Sequence, residues 1–217
     1  MTRIIGFGAG GHAKVVIEIL RALGGFDIVG LLDSNPRLLG TSVIGVPVVG
    51  DDTLAPMLAQ QGIRHALIGL GGAASTWPRR RLFDLVQGQD LELVTAVHPA
   101  AIVSPSAVIG GGATIMAGAI VNAGTVLGPN VIVNTGAVVE HDCTIGAHVH
   151  VATGARLAGG VTVGEGAHIG IGASIRQNIT IGRLAVVGAG AVVVSDVPDE
   201  VVVVGVPARM LRQVQEL

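Results

Sequence analysis

Between residues 97 and 193 most turn positions carry Gly, Ala, Asn or Thr. Against that background the ionisable side chains cluster as Glu140-His141-Asp142, then His148 and His150, then His168. Imidazole is the side chain best suited to moving a proton near neutral pH, and an adjacent carboxylate fixes its tautomer and raises its basicity. The triplet therefore reads as a general base with a carboxylate on either side. Spacing alone leaves open whether Asp142 or Glu140 orients His141. His150 is read as a ligand contact, and His148 and His168 as surface residues.

A second group lies near the start, in Gly6-Phe7-Gly8-Ala9-Gly10-Gly11-His12-Ala13-Lys14. Gly6, Gly8 and Gly11 fit the G-x-G-x-x-G pattern, and Asp33 follows at about the distance at which an acidic residue takes a ribose hydroxyl or a base edge. Bare backbone amides at a helix start bind phosphate. A tight turn without a ligand, a nicotinamide cofactor and the phosphates of another nucleotide all satisfy the pattern. The last is favoured, because a dehydrogenase needs a substrate domain and this chain spends its remainder otherwise.

That remainder is a register. Val97, Val103, Ile109, Ile115, Val121, Leu127, Val133, Val139, Ile145, Val151, Leu157, Val163, Ile169, Ile175, Ile181, Val187 and Val193 recur every six residues without an insertion or a polar miss. A helix would spread these aliphatics round its circumference, and a strand meander would need irregular turn spacing. A coil with three short strands per turn fits: aliphatics stacked inward, small residues such as Ala107, Ala113, Ala119, Thr125, Cys143, Ala155, Ala167 and Ala191 at the corners, and Gly or Asn at the bends. The register predicts a parallel β-helix of hexapeptide repeats, about five coils long, whose ends must be covered by the flanking segments. His141, two residues past the inward Val139, then lies near a corner, where its ring can leave the prism and face a neighbour.

Before the repeat, Arg3 to Phe7, Ile28 to Leu32, Ala66 to Leu70 and Leu91 to Val94 read as strands. Val15 to Leu23, stopped by Gly24-Gly25, and Ser75 to Val86 read as helices. The alternation predicts an α/β unit, a small Rossmann-like parallel sheet with a crevice at the strand ends. The expected divisions are 1–96 for the α/β unit with its nucleotide-type loop, 97–194 for the β-helix and 195–217 for a cap, with a short helix opening at Pro207-Ala208-Arg209-Met210.

Composition agrees with an aliphatic repeat: 217 residues, 50% hydrophobic but 2% aromatic, with 34 glycines and no tyrosine. A net charge of −2 gives no electrostatic footprint for nucleic acid. Apolar runs such as Val201 to Val204 fall far short of the ~20 residues of a membrane span, and Met1 to Phe7 does not read as a signal peptide. A cytoplasmic location is the expectation. The single cysteine, Cys143, excludes an intrachain disulfide and reads as packing. Zinc held by His141, His148 and His150 contributed across a trimer interface, as in β-helices of carbonic-anhydrase type, is a further reading, but it leaves the glycine-rich unit idle.

The start Gly8 to Val16, the hexapeptide register, Val139-Glu140-His141-Asp142-Cys143, the stretch His150 to Gly160 and the ending Gly205-Val206-Pro207-Ala208-Arg209 carry a resemblance over essentially the whole chain. They resemble the bacterial nucleotide-aminosugar N-acetyltransferases of the PglD-like, sialic-acid O-acetyltransferase-related family. The resemblance implies a left-handed β-helix and a homotrimer with active sites at subunit interfaces. It implies acetyl-CoA as donor along the groove between β-helices, no metal, and a GDP- or UDP-linked 4-amino sugar as acceptor, in surface polysaccharide (lipopolysaccharide O-antigen) biosynthesis. By position it implies His141 as catalytic base and Asp142, often Glu in the family, as its support, with Glu140 the other candidate. It implies His150 near the thioester, Gly159 with its amide toward the acetyl carbonyl, and Gly170, Gly188, Pro207 and Arg209 along the CoA. Gly8, Gly10, Gly11, His12 and Asp33 correspond to nucleotide contacts. Sugar O-acetylation, and a β-helix that binds without turnover, are the alternatives.

Overall fold

The computed structural model describes residues 1–72 and 75–214. The chain opens with β1 (Thr2–Phe7), α1 (Gly11–Leu23), β2 (Phe26–Leu32), β3 (Ser42–Val43), β4 (Val46–Gly50), α2 (Ala55–Gln60), β5 (His65–Ile68), α3 (Trp77–Gln87) and β6 (Glu92–Leu93). The sheet order is β3-β4-β2-β1-β5-β6, parallel except for the β3–β4 hairpin. β1 is central because Ile4, Ile5 and Phe7 are apolar toward both faces, and all three are buried. Its end points between β2 and β5, at the position where ligands bind in open α/β sheets. The sequence reading missed β3, β4 and α2, short elements between residues 42 and 60.

From Ala96 to Val193 every strand is two residues long and ends on the inward aliphatic of the six-residue register. Strands eighteen residues apart pair in parallel, Thr114 with Ile132 and Ile132 with His150 for example. Three flat faces result. The first carries residues 96, 114, 132, 150, 168 and 186 as outward positions, the second 102, 120, 138, 156, 174 and 192, and the third 108, 126, 144, 162 and 180. The inward residues form one continuous core from Ile115 to Val203. Corners are turned by residues three past the inward position, which adopt positive φ. Gly fills most of these; Asn130, Asp142, His148, Asn178 and Leu184 fill the others.

The α/β unit does not sit across the end of the prism, as a pure end cap would. It packs against the first face, where Ile4, Val16, Ile19, Leu20 and Leu67 share a core with Ala96, Met116 and Ile132. Val97, Val103 and Ile109 at the starting end stay only partly buried. At the other end the structure corrects the expected C-terminal helix. Val201–Val204 extends the first face in parallel, and Arg209–Gln213 folds back on it antiparallel. Outward side chains of the other two faces remain open, including Ile102 at 64% and Val108 at 58% exposure. Among the described residues no helix is long and apolar enough to cross a membrane.

Candidate active site

His141 sits at the corner between the second and third faces, just past the strand Val138–Val139. Its side chain is 61% exposed, and Nδ1 lies 2.8 Å from Asp142 Oδ2. A carboxylate only accepts, so Nδ1 carries the proton and Nε2 presents a lone pair outward. Asp142 is placed for this by the corner itself: φ is 58° and its amide donates to Ala123 O at 2.9 Å. Its carboxylate lies over Gly124, where a Cβ would stand 2.6 Å from Oδ1. Glu140 is occupied elsewhere, its Oε2 accepting from Asn122 Nδ2 at 2.9 Å and from the His141 amide at 3.4 Å. Asp142 therefore orients the ring, while Glu140 braces the backbone that carries it.

One coil further, Gly159 lies directly on the imidazole. A Cβ there would stand 2.5 Å from Cε1 and 2.6 Å from Nε2 of His141, distances no side chain occupies, so only glycine permits this ring position. Gly160 N donates to His141 O, and Asn178 N donates to Gly159 O. Among the described residues the Gly159 amide itself has no acceptor, and it belongs to the corner that the imidazole occupies. Cys143 is buried beneath them and donates to Ala158 O at 3.3 Å; burial raises its thiol above the ordinary value. It remains a packing residue.

His150 lies on the first face, away from this corner. Its ring is buried, with Nδ1 donating to Gly72 O at 2.9 Å and Nε2 accepting from Asn134 Nδ2 at 3.0 Å. Burial first, then the neighbouring His168 and Arg79, lower its pKa to about 4 despite the Gly72 bond. The surface reading of His148 and His168 is corrected. His148 is buried, with Nδ1 bonded to Asn130 at 2.9 Å and its ring edge-on to Phe83 of α3. His168 is half-buried and edge-on to His150. Burial lowers both pKa values. With both nitrogens of His150 engaged and His148 turned into the domain contact, these rings are not offered with His141 as a zinc set. Among the described residues no cluster of three His, Cys, Asp or Glu side chains suits a metal.

Gly170 and Gly188 line the corner between the first and second faces. A Cβ on Gly170 would stand 2.5 Å from Val187 O and 2.7 Å from Ala189 N of the next coil, so stacking alone requires glycine there, while one on Gly188 would meet Val204 Cγ1 at 2.7 Å. Pro207 and Arg209 flank the turn into the last strand, where Ala208 N donates to Val192 O at 2.8 Å. Within one chain His141 and Gly159 occupy one corner, Gly170 and Gly188 another, and His150 the face covered by the α/β unit.

The nucleotide-type residues do converge. Gly8, at φ +94°, packs against Gly69 in the turn after β5. Asp33 directly follows β2, and its two oxygens accept from Ala9 N at 2.7 Å and Asn35 N at 2.9 Å, tying the glycine-rich loop to the second strand. Gly10 and Gly11 have nothing within 4 Å of a notional Cβ, and no side chain caps α1, so its first amides face open space. His12 Nε2 lies 3.3 Å from Arg79 Nη1. Desolvation, then Arg79 and His150, lower its pKa to about 3.

Asn122 and Asn134, which hold Glu140 and His150, were legible only as bend residues after the inward position. Arg79 gave no signal, being one of three consecutive arginines in α3.

Comparison with known proteins follows the same division. Residues 3–85 match the PglD N-terminal domain, and residues 124–159 match the bacterial transferase hexapeptide family of six repeats. A search of curated proteins finds no match. Among solved structures, a mutant of perosamine N-acetyltransferase from Caulobacter crescentus in complex with CoA and GDP-perosamine is 45% identical. That match covers 96% of each chain, with a TM-score of 0.91. The acetyltransferase domain of PglB from Neisseria gonorrhoeae in complex with acetyl coenzyme A is 41% identical over 97% of this chain and 99% of that one, with a TM-score of 0.88. WeeI from Acinetobacter baumannii is 28% identical over 97% and 100%, with a TM-score of 0.83.

Proposed function

The chain belongs to the family of hexapeptide-repeat sugar acetyltransferases with a PglD-type N-terminal domain, and from that premise we propose that it moves the acetyl group of acetyl-CoA to the 4-amino group of a nucleotide-linked amino-deoxy sugar. GDP-perosamine is the acceptor we assign, following the relative crystallised with it at 45% identity. The observation that carries the reading is the corner at His141, where a carboxylate-oriented imidazole stands against Gly159, whose amide has no acceptor among the described residues.

The chemistry follows from those two groups. The neutral amine nitrogen attacks the thioester carbonyl carbon, and His141 Nε2 accepts the amine proton as the C–N bond forms. The Gly159 N–H donates to the carbonyl oxygen as it gains negative charge, and a donor fixed beforehand costs no reorganisation. As the C–S bond breaks, the protonated His141 returns its proton to the departing sulfur, so the base is restored. Asp142 holds the tautomer throughout and stabilises the imidazolium.

In one chain His141 lies on the far side of the prism from Gly8 to His12 and His150. We infer that each site is shared between copies in a homotrimer, His141 of one subunit facing the nucleotide loops and His150 of its neighbour. The open apolar side chains of the second and third faces, Ile102, Val108 and Val126, support such packing. CoA then runs along the groove between prisms, past Gly170, Gly188, Pro207 and Arg209. Residues 1–96 bind the nucleotide, 97–194 carry the acetyl transfer and 195–217 close the end. The assigned setting is cytoplasmic surface polysaccharide synthesis.

The test is release of CoA thiol with a panel of GDP- and UDP-linked 4-amino-6-deoxy sugars, with a free sialic acid as the hydroxyl acceptor. Turnover should appear with a nucleotide-linked amine and be fastest with GDP-perosamine. Turnover only with hydroxyl acceptors, or with none, overturns the reading.

A further inference from the structure

Arg79 is the most deeply buried charge among the described residues, 3% exposed. No described carboxylate lies within ion-pair distance of it; the ion pairs found are His65–Glu92, Arg80–Glu165 and His141–Asp142. Its guanidinium bonds to neutral acceptors alone. Nη1 donates to Ile68 O at 3.1 Å, to Leu70 O at 2.8 Å and to His12 Nε2 at 3.3 Å, while Nη2 reaches Gly112 O and Thr114 Oγ1 at 3.5 and 3.4 Å. Nε is buried without a described partner. Burial lowers the pKa to about 9, which leaves the group a cation at neutral pH. A buried charge without a counter-charge is costly unless something else supplies one.

The geometry around it shows what does. Ile68 and Leu70 flank the turn after β5, which packs against Gly8 of the glycine-rich loop, and His12 stands in the first turn of α1, directly after Gly10 and Gly11, where no side chain caps the helix. A guanidinium has no lone pair to offer, so His12 Nε2 accepts and Nδ1 carries the proton. Nδ1 lies alongside Gly71, where a notional Cβ would be 3.6 Å away, and no described acceptor is paired with it.

Resting on the nucleotide reading given above, we propose that Arg79 is a positioning residue for the anionic diphosphate of the sugar nucleotide: it fixes His12 so that Nδ1–H points at a phosphate oxygen, and it supplies from behind the positive charge that the glycine-rich loop lacks. Its bonds to Gly112 and Thr114 also anchor that charge to the first face of the prism. The diphosphate is therefore registered against the body that carries the acetyl-transfer groups.

The test uses the full-length protein and titration calorimetry with GDP and UDP, and with guanosine and uridine as probes lacking phosphate. Wild type should bind at least one diphosphate more tightly than its nucleoside. Arg79→Gln should weaken that diphosphate about tenfold or more while nucleoside affinity and KM for acetyl-CoA stay within about twofold. Arg79→Lys, which keeps the charge and loses the fork, should recover part of the loss. Equal weakening of nucleoside and diphosphate, or unchanged binding in Arg79→Gln, overturns the proposal while leaving the nucleotide reading intact. If Arg79→Gln does not fold, Arg79→Lys and His12→Gln carry the test by the same ratio, and a ratio unchanged in both rejects it. Wild type that binds neither diphosphate removes the nucleotide reading and this proposal together.

Discussion

An imidazole becomes a dependable base when one nitrogen is tied down, and here the tie is the next residue along the chain. Asp142 reaches Nδ1 of His141 because the corner turns it into positive φ, a conformation Asp tolerates better than most side chains. Asp142→Asn can hold the ring in the wrong tautomer, so kcat should fall about 10²-fold, the low end of the range for general base catalysis. Glu140→Gln, which keeps its bond to Asn122, should lose less. Steady-state kinetics on the two variants rank them, and the reverse order would assign the orienting role to Glu140. Gly159→Ala places a methyl where the ring stands. A displaced catalytic group can cost about 10²-fold in rate, and unchanged turnover would show that the ring is free to move. The triplet was legible because its members are adjacent in sequence and stand out from a Gly, Ala, Asn and Thr background. Arg79 was not, because nothing in three successive arginines says which one turns inward.

Each coil is stabilised through its neighbours, so an inward aliphatic matters more than its local strand of two residues suggests. Leu157 is fully buried one coil above Val139. Leu157→Ala should lower the unfolding free energy by about 2–5 kcal/mol, read as a drop in the denaturation midpoint; a shift below that range would mean the prism relaxes around the gap. Every inward residue was readable from the sequence because a six-residue period admits one placement of the aliphatics. The last strand was misread because its reason lies outside it. Val201–Val204 leaves a row of unpaired backbone groups at the edge of the first face, and Arg209–Gln213 satisfies them by returning antiparallel. The Ser42–Gly50 hairpin was missed for want of a strong alternation.

For the whole molecule, the contact between the α/β unit and the prism should sense pH. His12 and His150 titrate at about 3 and about 4 in the fold, below the ~6.5 of an unfolded chain. As pH falls through 6.5 the unfolded state takes up protons that the folded state does not, so this stability is complete above about pH 7 and lost toward pH 4. Between pH 6.5 and 5 each histidine should cost roughly 1–2 kcal/mol, seen as a falling Tm. A His150→Asn variant should show the shallower slope, and parallel slopes would contradict the assignment. A site shared between copies predicts complementation. His141→Ala co-refolded with a variant disabled at Asp33 should regain about a quarter of wild-type turnover, because a random mixture restores that share of interfaces. No recovery would place the whole site in one chain. In the sequence this sharing is legible only through the corner position of His141 and the family resemblance, because one chain gives the residues of each copy without their neighbours.

The most direct measurement is thiol release from acetyl-CoA with GDP-perosamine by wild type and His141→Ala at matched protein concentration, with oligomeric state checked in both. Loss of about 10²–10⁴-fold in kcat with assembly intact is the expected result. Turnover within a few-fold of wild type would contradict the role of His141 and the mechanism built on it.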